Sequence, residues 1–312
     1  NTFVSSHSKS KLSTGSRLRV VHRVHICRRE SYHRPRLCRG QSESEARMKP
    51  KLLIGGVLIG SMILLAIGAD LFSLQNPTAM ELASRYAGPS AEHLFGLDQN
   101  GADVFSQVAH GAQISLRVAF TVVFISALIG LVIGSVAGFL GGWIDQLIMR
   151  FLDMFYAFPG FLLALSLVAV LGPSVGNLIF AMCITGWTGY ARLVRGEVLH
   201  LRQREYVVGA LAIGASPIRL IVRHIWPNLL GLLVVQMTFG MSGTIITESG
   251  LSFLGLGAPP TVPTWGALLN SGRRILVEAP HVSMFPGIAI LLLVLGFNLV
   301  GDSLRDWLNP RG

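Results

Sequence analysis

Two groups of residues invite a functional reading. The first is segment 205–228, charged and loop-length, between two strongly apolar runs. Glu205-Tyr206-Val207 can start a short helix, with the carboxylate near the positive end of the helix dipole. Gly209 and Ala210 are small, so a partner surface can come close. Gly214, followed by Ala215, suits a helix end, where glycine tolerates positive φ. Ser216-Pro217 fits the next start, as N-cap and first helical residue. Ile218, Leu220, Ile221 and Ile225 offer an apolar stripe, and Pro227 is expected to separate this element from the apolar run that follows. A helix–turn–helix is thus expected, with no group in it that makes or breaks bonds. The second group is Asp70, Glu248 and Asp302, acids near the ends of apolar runs. No nucleophile–base pair, metal constellation or phosphate loop is evident. Gly255-Leu256-Gly257 lacks the lysine and the strand of a nucleotide site. The chain is therefore expected not to be an enzyme and to bind no cofactor.

The elements that would position these residues are membrane helices. The chain is 51% hydrophobic and 13% charged, with mean hydropathy +0.56. Soluble domains carry about 25% charged residues. The apolar runs are roughly 18–25 residues long, enough to cross about 30 Å of hydrocarbon. The expectation is an all-α, polytopic transmembrane bundle of six helices, near 52–72, 116–140, 151–171, 177–191, 229–250 and 284–304. A β-barrel would need short alternating segments instead. Ionisable residues at membrane depth are functional candidates. Asp302 with Arg305 one turn on reads as an interfacial pair, and Asp70 as reaching the outer headgroups. Glu248 either faces a pathway or caps a polar loop; both stay open.

Lys/Arg placement gives orientation. With the start of the body in the cytoplasm, Arg150, Arg192, Arg195, Arg202, Arg204, Arg219, Arg223 and Arg305 fall inside, and Arg85, Arg117, Arg273 and Arg274 outside. Both ends of the body are then cytoplasmic, as is segment 205–228. Gly130, Gly134 and Gly138 repeat at four-residue spacing, which lets helix backbones approach. Packing within the chain is favoured over a dimer face. Pro159 is expected to kink the third helix.

The net charge of +10 belongs mostly to residues 1–47, whose eleven Lys/Arg and three Glu give +8 and leave +2 for the rest. This leader is read as a basic disordered tail or, preferably, as an extension outside the mature protein that ends before Met48-Lys49-Pro50-Lys51. Residues 48–312 form the membrane body. Cys27 and Cys38, with His22, His25 and His33 nearby, match no zinc spacing, and Cys183 reads as a small packing residue.

Segment 205–228 resembles the EAA loop of bacterial ABC-importer permeases. Phe95-Gly96-Leu97-Asp98-Gln99-Asn100-Gly101-Ala102-Asp103, Glu248-Ser249-Gly250-Leu251-Ser252-Phe253-Leu254-Gly255 and Phe297-Asn298-Leu299-Val300-Gly301-Asp302 resemble the dipeptide/oligopeptide/nickel permease family. Four motifs in order cover essentially all of 48–312 and resemble the second, C-type, permease. The resemblance implies coupling to an ATPase through Glu205, Tyr206, Val207, Gly209, Ala210, Gly214, Ala215, Ser216 and Pro227. It also implies a homologous second permease, two ABC ATPase subunits holding ATP and Mg²⁺, an extracytoplasmic solute-binding protein, and a place in the bacterial inner membrane. Val208 stands where the motif has Glu, and Gly209 replaces its first alanine, weakening the helix by up to about 1 kcal/mol. Peptides, nickel and glutathione are all carried by similar permeases. The alternative, a self-contained channel or secondary transporter, calls for ionisable residues near helix centres, and few are present.

Overall fold

A computed structural model of the chain describes residues 35–72, 81–259 and 261–308, with side chains of 35–48 and 71–72 excepted. The expectations placed on the leader, including its cysteines and histidines, lie outside the described residues. The chain divides into two units, Asn1–Lys49 and Pro50–Gly312.

Helices dominate the described residues, the first starting in the first unit and the others lying in the second. They are α1 (Pro35–Ile67, apolar over Lys49–Ile67), α2 (Val104–Leu140), α3 (Gly142–Tyr156), α4 (Gly160–Leu171), α5 (Val175–Leu201), α6 (Glu205–Ala212), α7 (Pro217–Phe253), α8 (Trp265–Gly272) and α9 (His281–Leu308). By length and composition α1, α2, α7 and α9 can cross a membrane, and α3 with α4 makes a fifth span if the bent pair counts as one. The remaining expected segment is α5. It is long enough, but its last turns carry Arg192, Arg195, Glu197 and His200 and dilute its hydropathy.

Local chemistry moves several boundaries. α2 starts twelve residues before its apolar run, because Asp103 caps it: Oδ2 accepts from the Ser106 amide at 2.7 Å. The polar side chains of this first stretch are used internally. Gln107 Nε2 donates to Asp98 and Gln113 Nε2 to the Ala66 carbonyl, at 2.9 and 2.8 Å. Pro159 does more than kink the third segment. It sits at the start of α4 with ψ 123°, and α3 and α4 meet at 78°.

α2 and α5 form the spine. A Cβ on Gly134 would lie 2.5 Å from the Ala191 carbonyl oxygen, one on Gly138 2.9 Å from that of Arg195, and one on Gly130 would strike Tyr190. The glycine repeat thus serves packing within the chain. Around it lie four apolar clusters, one of them Leu152, Trp187 and Ala191. Val123, Ala127, Val194, Val198 and Leu229 fill one side, and Val118, Val122, Ala164, Val168 and Leu178 another. Val104, Val108, Ile245, Trp265, Val282 and Leu293 fill the end away from α6. Leu53, Leu64, Phe120 and Val170 face outward and exposed, as side chains meant for lipid do.

Gly134→Leu is expected to lower the thermal unfolding midpoint in detergent, losing about 1–3 kcal/mol to overpacking. Gly60→Ala, whose added Cβ meets nothing within 4 Å, should leave it unchanged.

Candidate functional site

The segment 205–228 is held from below by the end of α5. Arg195 grips Asp145 of α3 with two bonds, Nε–Oδ1 at 2.5 Å and Nη2–Oδ2 at 2.7 Å. Such forked pairing is geometrically demanding and strong for its kind. Arg192 Nη2 donates to Asp153 at 2.9 Å and lies over the Tyr156 ring at 4.0 Å. Arg202 Nη1 donates to the Gly138 and Phe139 carbonyls at 3.1 and 3.4 Å, a cation on the negative end of α2. Three arginines therefore fix where α5 stops.

From there the chain turns into α6. The Arg204 carbonyl accepts from the amides of Val207 and Val208 at 2.9 and 3.0 Å. Glu205 and Tyr206 open the helix, exposed, while Val207 is buried. The helix ends as its residues imply. Gly214 has φ +85°, its amide bonds the Leu211 carbonyl at 3.0 Å, and the Ala215 amide reaches back to Ala210 at 3.1 Å. These two bonds around a left-handed glycine form a Schellman stop. Ser216 takes the extended N-cap conformation with Pro217 next, but its side chain makes no capping bond. Gly209 points to open space: a Cβ there meets nothing within 4 Å.

Pro227 does not separate this element from the fifth span. α7 runs unbroken from Pro217 to Phe253. The reason is a π turn at Ile221–Ile225, in which the Trp226 amide bonds Ile221 five residues back. Widening the helix there accommodates a ring that would crowd an α turn. Asn228 Nδ2 then donates to the His224 carbonyl at 2.6 Å, and lies 3.5 Å from the Tyr206 hydroxyl of α6.

The result is a short surface helix fused by one tight turn to a long helix. Val207 and Leu220 anchor it, 2% and 0% exposed. Val208, Leu211, Ile213 and Ile218 show apolar surface outward, Ile213 at 87%.

The opposite end of the bundle is tied by polar groups. Asp98 Oδ1 accepts from the amides of Asn100 and Ala102, both at 2.8 Å, and Oδ2 from Gln107. Trp265, fully buried, donates from Nε1 to the Val108 carbonyl at 2.9 Å. His281 Nε2 donates to Leu97 O at 3.1 Å. Glu248 is 1% exposed and lies between α2 and α7. Its carboxylate accepts from Ser115 at 3.1 Å, Ser252 at 2.9 Å and Ser249 at 3.3 Å. It faces neither a pathway nor a loop but clamps two helices. Asp70 is exposed, with His110 Nε2 at 3.3 Å. The expected Asp302–Arg305 pair does not form. Both side chains are exposed, where an ion pair gains little. Among the described residues no three His, Cys, Asp or Glu gather as a metal site.

Residues 130–311 match the family described as "Binding-protein-dependent transport system inner membrane component". The chain belongs to this family. It is 42% identical over 259 residues to a dipeptide transport system permease protein of Alkalihalophilus pseudofirmus, covering 83% of this chain and 85% of the relative. Glutathione transport system permease proteins of Shigella flexneri serotype 5b and Escherichia coli O157:H7 are 51% and 50% identical over 224 residues, each match covering 72% of this chain and 74% of the relative. The resemblance to peptide-class ABC permeases is thereby borne out, and with it a multi-pass membrane protein.

The chain carries polar clamps at both ends of its bundle. The reading from residues missed the arginine clamp, although Arg195 and Arg202 sit two helical turns apart on one face of α5, a signal that was available. It missed the Trp265 bond because nothing in the loop sequence marks its partner.

Asp98→Ala should strand two amides and the Gln107 side chain without an acceptor. A loss of about 2–3 kcal/mol is expected in thermal or denaturant unfolding, against no measurable change for Asp302→Ala.

Proposed function

We propose that this chain is the permease subunit of an ATP-driven importer for peptide-class solutes, and that α6 is the surface on which an ATPase subunit docks. A homologous second permease completes the pathway. Two ATPase subunits bind ATP and Mg²⁺, which this chain does not, and an extracytoplasmic solute-binding protein delivers the cargo. Residues 48–312 are the permease body, and 1–47 are a basic leader apart from it. Both ends of the body lie in the cytoplasm. The crowding of Arg192, Arg195, Arg202, Arg204, Arg219 and Arg223 around α6 favours this orientation.

The observation that carries the reading is the join between α6 and α7. ATPase closure pushes on the exposed face of α6, around Tyr206, Val208 and Leu211. Gly209 leaves room for the partner to approach. The Schellman turn at Gly214 is hydrogen-bonded back to α6 by two amides, which stiffens the link that passes the load on. α7, continuous through the π turn, carries it into the membrane. Family membership and the names of the dipeptide and glutathione relatives favour a peptide cargo.

Purification of the tagged chain from cells expressing the whole transporter tests this. Wild type should bring ATPase subunits with it. Gly209→Trp should cut their recovery and solute-stimulated ATP hydrolysis roughly tenfold, the equivalent of about 1.4 kcal/mol of docking energy. Its unfolding midpoint should not move. A chain that purifies alone, indifferent to this substitution, would favour a self-contained channel or secondary transporter.

A further inference from the structure

Between α2, α5, α7 and the first residues of α4 lies a cavity of about 350 Å³. Its lining residues come from the interior of their helices: 122–126 of α2, 182–190 of α5 and 236–247 of α7. No lining side chain is charged. The wall is nevertheless polar. Gln236 and Thr244 make no side-chain hydrogen bond with any described residue. Thr185 and Thr247 donate to carbonyls of their own helices, the latter to Gly243 at 2.8 Å, which leaves their lone pairs free to accept.

Two more hydroxyls stand in the wall. Ser126 Oγ and Tyr190 Oη are buried and make no hydrogen bond of good geometry with a described residue. The Cys183 thiol is a polar neighbour of Ser126, and a weak one. Bare buried hydroxyls are rare in proteins and ask for a reason. Glycines keep them bare. A Cβ on Gly186 would come 2.9 Å from Ser126 Oγ, and one on Gly240 would strike Tyr190 Oη. Gly160 and Gly243 widen the cavity, for a Cβ on either meets nothing within 4 Å.

We infer that this cavity is a transit subsite for the neutral amide groups of the solute, the peptide backbone above all. The inference rests on the importer reading and names the chemistry of the path. Each backbone amide brings one donor and one acceptor. The threonine oxygens and the Gln236 carbonyl oxygen take the donor; the Thr244 hydroxyl and the Gln236 amide serve the acceptor. Ser126 and Tyr190 line the same wall with their hydroxyls covered, and these gain partners as the solute enters. With no charge in the wall, a bare metal ion is poorly served, whereas Val122 and Phe161 give apolar side chains something to rest on. A site without charge also binds loosely, as a path must if cargo is to leave it.

The complete transporter in proteoliposomes, with uptake of radiolabelled trialanine and of glutathione, tests this. Tyr190→Phe should lower uptake roughly three- to tenfold, the usual worth of one neutral hydrogen bond. Its unfolding midpoint should not fall, because the lost hydroxyl has no partner inside the chain. A merely structural tyrosine hydroxyl would move stability and spare uptake. Gly243→Leu, placed in open space, should block uptake further while the second permease and the ATPases still co-purify. Unchanged uptake in both variants overturns the subsite and leaves the importer reading standing. Loss of the second permease from the Gly243→Leu complex also overturns it, since the cavity would then seat that partner. A wild-type transporter that takes up neither peptide overturns the peptide-importer reading on which the subsite rests.

Discussion

With no side chain at Gly130, Gly134 or Gly138, α2 and α5 meet backbone to backbone. Dispersion between closely packed backbones has to hold helices together in lipid, where burial of apolar surface drives nothing. That contact fixes the axial position of α5 against α2. Only in this register does Arg202 reach the carbonyls that end α2. Arg195 reaches Asp145 because α3 follows α2 directly through Gly141, whose φ of 66° turns the chain. The position of α6 is thus set by a chain of contacts that begins at three glycines.

The two ends of the bundle differ in what they leave exposed. At the end away from α6, the polar groups answer one another: Asp98 organises its loop, Trp265 is bonded, and Glu248 is met by three hydroxyls. A buried carboxylate without such donors would cost far more than any of these bonds contributes. These groups are satisfied within the chain, beside a cleft lined by Asp98, Gln107 and Arg274. At the other end, apolar side chains of α6 face outward beside arginines and find nothing among the described residues to cover them. Such an uncovered apolar face, beside arginines that are themselves paired within the chain, is what the proposed docking of a partner subunit would use.

Much of this was legible in the residues, for physical reasons. Apolar runs of membrane length announce helices because no other open-chain backbone satisfies itself in lipid. Gly214 announced its turn because few residues tolerate its φ, and the glycine repeat announced a close contact. Boundaries were less legible. The stretch 104–115 looks like a polar connection by composition, yet it is helix, since its polar groups are consumed by Asp98, Ala66 and its own cap. Glu248 was ambiguous because its partner Ser115 lies 133 residues away, and hydroxyls so common carry no signal of pairing. The buried hydroxyls of Ser126 and Tyr190 were invisible for the same reason: what distinguishes them is a missing partner, which only geometry reveals.

Pro227 shows how far local rules carry and where they stop. A proline in mid-helix removes one amide and crowds the carbonyl of the preceding turn, so reading it as a boundary follows from intrinsic preference. In the fold, the cost is spread over one widened turn, and the Asn228 side chain takes up the His224 carbonyl. A break at that position would have left α6 and the turn after it hinged to the membrane helix. A π turn leaves them joined, because its bonds still run along the axis. The constraint that overrides the preference is therefore continuity of α7 itself, from Pro217 beside the surface turn to Phe253.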